Sequence, residues 1–116
     1  MRIERFEDVV AWQKAKEQSL QVYRYFESSR DFGFRDQVQR ASVSVMNNIA
    51  EGFERQTNKE FRQFLFIAKG SCAEVRSMLY LAVDLKMIDE VKFQKIYQMN
   101  IETSRILAGL IKSLHT

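Results

Sequence analysis

The chain has 116 residues, a net charge of +3, 46% hydrophobic side chains, no proline and four glycines. That length holds a hydrophobic core without staples, and the composition is not that of a disordered chain. A lone cysteine, Cys72, excludes an internal disulfide and a multi-cysteine metal site.

The N-terminus, Met1-Arg2-Ile3-Glu4-Arg5-Phe6-Glu7-Asp8, is charged and has no apolar core of a signal peptide. No apolar run reaches the roughly 18 residues of a membrane span. A free thiol and these termini imply a soluble, cytoplasmic protein.

The chain reads as one domain, 1–116, of four helices over about 8–27, 34–55, 58–86 and 90–114. In the first helix Val9, Trp12, Ala15, Ser19, Val22 and Phe26 recur at three- and four-residue steps. Asp8 is its expected N-cap. Ser28 to Gly33 forms a turn, with Gly33 as the expected break.

The second helix turns Phe34, Val38, Ala41, Val45, Ile49 and Gly52 inward. Val43, Met46 and Ala50 lie round to its side, so it should meet more than one neighbour. Asn48 sits at the edge of the inner face and needs a hydrogen-bond partner. Gly52 allows close helix approach or marks the helix end.

Thr57-Asn58-Lys59-Glu60 has the spacing of a capping box and starts the third helix. With Phe61 as position a, Phe61, Phe64, Ala68, Ser71, Val75, Met78, Ala82 and Leu85 fall at a and d, the spacing of near-parallel bundle packing. Leu65, Cys72 and Leu79 lie beside them at e. Lys86 to Asp89 is the next turn, and Asp89 caps the fourth helix. Its inner face reads Phe93, Ile96, Asn100, Leu107, Ile111 and Leu114. Short connections make sequence neighbours antiparallel, so the fold class is all-α, an antiparallel up-down-up-down four-helix bundle.

Several patterns together carry a family resemblance. They are Phe6-Glu7-Asp8, Trp12-Gln13-Lys14-Ala15, Gln39-Arg40-Ala41-Ser42-Val43-Ser44, Asn48-Ile49-Ala50-Glu51-Gly52, Lys59-Glu60-Phe61, Phe64-Leu65, Ala68 and Gly70-Ser71. Over almost the whole chain the sequence resembles the four-helix-bundle proteins encoded in 23S rRNA intervening sequences. That resemblance implies the same bundle and a ring-shaped homopentamer. The accessory protein of diversity-generating retroelements is a relative similar in fold, which implies nucleic acid or a ribonucleoprotein as a partner. The family pattern often has proline where this chain has Val45-Met46, so helix 2 should be more continuous here.

Arg55, Arg62, Lys69 and Arg76 fall at b, and Lys59, Phe66, Ala73 and Tyr80 at f. Both positions point away from an a/d seam. Arg55 has Glu51 one turn away, whereas Lys59, Arg62, Lys69 and Arg76 have no acid three or four residues off. Nucleic-acid phosphate is the natural ligand of the whole set, Arg55, Lys59, Arg62, Lys69 and Arg76, because arginine forks match its geometry. The plainer reading is the wet face of a bundle.

Phe66 and Tyr80 either stack on unpaired bases or, with Val43 and Met46, are covered by a second copy of the chain. A closed ring would repeat the basic row around its axis and act as one field on a long anion. Arg40, Asn48 and Glu51 make either a polar site or, preferably, a structural network that fixes helix register.

Signals for an enzyme are poor. His115 is the only histidine, so di-iron chemistry lacks its Glu-x-x-His pairs. Cys72 reads as core, Trp12 likewise, and no glycine-rich phosphate loop is present. The sequence thus points to a homo-oligomeric bundle that binds nucleic acid, without cofactor, metal, membrane or small-molecule substrate. The alternative is an assembly module whose basic face meets an acidic protein.

Overall fold

A computed structural model describes residues 3–114. A 3-10 turn, Phe6–Asp8, precedes four helices: α1 (Val10–Phe26), α2 (Phe32–Phe53), α3 (Asn58–Asp84) and α4 (Glu90–Ser113). Each helix packs on its two neighbours in a closed square, α1 on α2, α2 on α3, α3 on α4 and α4 on α1, within 45 × 22 × 19 Å. This is the expected antiparallel four-helix bundle.

The helix starts show how local chemistry sets the boundaries. The Asp31 carboxylate accepts the Phe34 N–H at 3.0 Å, so α2 begins at Phe32 and Gly33 lies inside its first turn instead of breaking the chain. Thr57 Oγ1 accepts the Glu60 N–H at 3.1 Å and also donates to Glu60 Oε1 at 3.1 Å. Asp89 Oδ1 accepts the Lys92 N–H at 2.8 Å.

The expected cap at Asp8 is absent. Residues Phe6–Asp8 form the 3-10 turn, Val9 takes the N-cap position without a side-chain bond, and Asp8 lies 3.8 Å from Arg5 instead. Helix α3 ends in a left-handed Lys86 at φ 61°, with Met87 N–H bonded to Ala82 O and Lys86 N–H to Val83 O. That pair of bonds closes the helix carbonyls as a Schellman motif.

The core has two apolar halves. One gathers Val22, Phe26, Phe34, Val38, Val75, Leu79 and Ile96; the other gathers Ala11, Ala15, Val45, Ile49, Leu65, Ala68 and Leu107. Between them lies a buried polar waist of Gln18, Ser19, Ser42, Asn100 and Thr103. The inner face of α2 is the expected one, and Val43, Met46 and Ala50 are half-buried beside it.

Helix α1 is turned slightly from expectation. Ala11 and Gln18 are buried, while Trp12 is half-buried with its ring edge-on to Phe6 at 5.2 Å. Gly52 serves close approach: a Cβ there would lie 2.5 Å from Phe64 Cβ and 3.0 Å from Phe61 Cδ1.

Candidate nucleic-acid interface

The register of α3 decides where its cations point. Its buried residues are Leu65, Ala68, Cys72, Val75, Leu79 and Ala82, which are positions a and e. Phe61, Phe64, Ser71 and Met78 are only half-buried, and Leu85 is exposed. The seam therefore runs between a and e, not a and d.

Relative to that seam, b and d are the two symmetric flanks. Position b does not point away from the bundle. Arg62, Lys69 and Arg76 are all half-buried, on the flank facing α4. Seven residues separate each from the next, about 10.5 Å along the helix.

Arg76 shows how the flank is organised. Its Nη1 donates to Asn100 Oδ1 at 2.9 Å. Asn100 is fully buried, and its Nδ2 donates to Gln18 Oε1 at 2.7 Å and to the Cys72 carbonyl at 2.8 Å. Three helices thus hold one amide, and the amide holds the guanidinium. A neutral partner fixes the direction of Arg76 without cancelling its charge. A guanidinium has five N–H donors, so those not bound to Asn100 remain for an external acceptor.

The Nε of Arg62 is enclosed and has no hydrogen-bond partner among the described residues. None of Lys59, Arg62, Lys69 and Arg76 joins an ion pair among the described residues. The α4 positions that follow Tyr97 along the facing flank are Ile101, Ser104 and Ala108, with no carboxylate. Glu102 is drawn to the other side of α4, 3.2 Å from Lys14 of α1.

Arg55 does not join this row. It lies in the connection before α3, outside its helical register. Its guanidinium bonds Glu51 at 3.1 Å and covers the Phe64 ring at 4.6 Å, on the α2 side of α3. Lys59, in the first turn of α3, is exposed at f.

The aromatics at f differ from each other. Tyr80 packs against Phe93 at 5.5 Å and Tyr97 at 5.8 Å between ring centroids. Hydrogen bonding toward Tyr97 holds the Tyr80 phenol above its ordinary pKa. Phe66 is 54% exposed.

Arg40, Asn48 and Glu51 do not form one network. Asn48 Nδ2 donates to the Ser44 carbonyl at 2.8 Å and to its Oγ at 3.0 Å. The Ser44 and Ser71 hydroxyls meet at 2.9 Å, linking α2 to α3. Glu51 is occupied by Arg55, and Arg40 is exposed without a partner among the described residues. A single network fails because Arg40 lies about 12 Å along the helix axis from Asn48 and about 16 Å from Glu51, and the other two are taken by Ser44 and Arg55.

Burial pushes the Cys72 thiol up to about 11, with Arg76 and Lys69 drawing it part of the way back. That protonated, enclosed sulfur donates weakly to the Asn100 carbonyl at 3.5 Å, in keeping with the core role expected of it. His115 lies outside the described residues. Gln18 and Thr103, both fully buried, were not among the expected inner residues. The spacing Ala11, Ala15, Gln18, Val22 carried the signal for Gln18.

Fold and flank together define a small antiparallel helical bundle with a cationic row beside the α3–α4 groove. The family model of the 23S rRNA-intervening sequence protein matches residues 7–109, and the chain belongs to that family. A solved structure of similar fold is a protein of unknown function from the S23 ribosomal protein family of Bacteroides thetaiotaomicron VPI-5482. The two share 22% identity at a TM-score of 0.83, covering 89% of this chain and 99% of that one. No curated protein matches the chain.

Proposed function

We propose that this protein is a non-enzymatic, cytoplasmic homo-oligomer that binds nucleic acid, or a ribonucleoprotein, through Arg62, Lys69 and Arg76, with Lys59 at the end of the row. The observation that carries the reading is the Arg76–Asn100 bond of 2.9 Å beside two further cations with no ion-pair partner. A protein that needed Arg76 only for stability would set a carboxylate against it. Here a buried amide orients the fork and leaves the charge in place, which lowers the ordering cost of binding a phosphate. Arg55 contributes little, because Glu51 already holds it.

The apolar outer surface of α3 supports the homo-oligomer, and the family resemblance points to five copies in a ring. Repetition of the row around such a ring would let modest patches act together on a long anion. The second reading, an assembly module for an acidic protein, draws on the same cations.

A gel shift with single-stranded RNA across a salt series tests the first reading. Binding should weaken steeply with salt. The triple change Arg62→Gln, Lys69→Gln, Arg76→Gln should lower the log–log salt slope by about 2, at about 0.7 per lost contact on a single strand. No binding at low salt, or an unchanged slope in the triple variant, removes the nucleic-acid reading. Capture of an acidic protein free of nuclease-sensitive material would then favour the second.

A further inference from the structure

The outward arc of α3 is unusual for a surface helix. Between Phe66 and Leu81 its positions c, f and g carry Phe66, Ile67, Gly70, Ala73, Ser77, Tyr80 and Leu81, with Glu74 in the middle, and polar Lys59, Glu60, Gln63 and Asp84 bound the strip at its two ends. Ile67, Tyr80 and Leu81 are 52%, 49% and 50% exposed. Together with Phe66 they leave on the order of 400 Å² of apolar surface in water. A helix apolar on its outer face as well as its inner one belongs inside something larger. Ile67 and Leu81 cannot stack on bases as aromatic rings do, so the strip as a whole is a protein-docking face.

Its symmetry says how a second copy would meet it. Phe66-Ile67 and Tyr80-Leu81 stand equally far from the Ala73–Glu74 pair. A two-fold axis across the strip would therefore pass beside Glu74 and bring two copies of that carboxylate together. The same axis would set each Arg62–Lys69–Arg76 row alongside its mate. Both juxtapositions are like-charge, so the strip is better matched by a different surface of the next copy. A contact between unlike surfaces closes into a ring when its rotation divides a full turn.

The outer face of α2, adjoining α3 on one side and α1 on the other, has the complementary character. A shallow depression of ≈ 490 Å³ is bounded there by Tyr23, Arg40, Val43, Ser44, Asn47 and Asn48. Tyr23 is 45% exposed, Val43 is half-buried, and Arg40 is an exposed cation without an ion pair among the described residues. Glu74, at the centre of the α3 strip, is exposed and has only a long 3.4 Å bond from Gln37 Nε2. We infer that the outer strip of α3 docks onto the α1–α2 face of a second copy of this chain, with Glu74 of one copy meeting Arg40 of the next. This rests on the self-assembly part of the preceding proposal and names its seam. The cationic row then lies along the rim of the seam, where it stays open to a long anion.

Charge reversal tests the pairing. In sedimentation velocity at micromolar concentration the native protein should run well above its 13.7 kDa protomer mass. Glu74→Arg alone and Arg40→Glu alone should each run as the protomer, and the two together should restore the native species. Far-UV circular dichroism checks that each variant stays helical. Should a reversal unfold the chain, Glu74→Gln and Arg40→Gln should each weaken association at least tenfold.

An assembled native protein whose single variants keep its mass, or whose double variant fails to reassemble, overturns the seam and leaves self-assembly standing. A native protein that runs as a protomer overturns both. Nucleic-acid binding is read separately by gel shift and does not decide the outcome.

Discussion

At the scale of single residues, two positions show how context reverses a general rule. Alanine normally exceeds glycine in a helix interior by about 1 kcal/mol. At Gly52 the sign should invert, because a Cβ would sit 2.5 Å from Phe64 Cβ, an atom no rotamer change can move. Either α2 and α3 separate there or Phe64 leaves its place. Gly52→Ala should cost about 1–3 kcal/mol, the usual range for overpacking, read as a lower urea midpoint with an unchanged slope.

Lys86 is the reverse case. It holds φ 61° in the Schellman turn after α3, a conformation that costs a side-chain-bearing residue about 1–2 kcal/mol. Glycine removes that strain but adds freedom to the unfolded chain. Lys86→Gly should therefore stabilise by only about 0.5–1 kcal/mol. A loss of stability in the same urea titration would show that the lysine side chain makes a contribution the turn geometry does not reveal.

At the scale of helices, much was legible and one register was not. Four helices, the caps at Thr57 and Asp89, and the inner face of α2 follow from periodicity and from side chains that satisfy orphan backbone groups. Helix α3 misleads because its large side chains stand off its most buried line. Phe61 and Phe64 are only half-buried, packed toward the space that Gly52 leaves on α2, while Ala68, Cys72 and Ala82 occupy the centre. A pattern that weights residues by size places the seam at a/d; close helix packing places it at a/e.

That turn of the helix changes the site. It moves Arg62, Lys69 and Arg76 from an outer face to a flank, where Arg76 reaches a buried amide that α3 alone could not reveal. The α3–α4 pairing was foreseen; the bond across it was not, because it depends on which way each helix turns. The same shift explains the outer strip. Phe66 and Tyr80 stand outward at f on either reading; once the core lies between a and e, Ile67 and Leu81 at g join them on the far side, and the helix is apolar on two faces.

At the scale of the whole molecule, the polar waist divides the core, and Cys72 reports on whether it stays closed. The sulfur is fully buried where the waist meets the half-core of Leu65, Ala68 and Leu107, and burial raises its pKa to about 11 from an ordinary 9.0. Burial raises the folded value, so the folded chain keeps its thiol proton to higher pH than the unfolded chain does. Below pH 9 both states are protonated and the group contributes nothing to the pH dependence. Above pH 9 the unfolded chain ionises first, and stability falls until the folded thiol also titrates near pH 11. One such group removes on the order of 1 kcal/mol by pH 10.

Lysines and tyrosines titrate in the same range, so the measurement is a difference. Urea unfolding of the native protein and of Cys72→Ala should be compared at pH 8 and pH 10. The substitution will lower stability at both, since it empties volume in the core, but the penalty should shrink by about 1 kcal/mol at the higher pH. An equal penalty at the two pH values would mean that the waist admits water to the sulfur, and that the bundle opens at its middle while its ends stay packed.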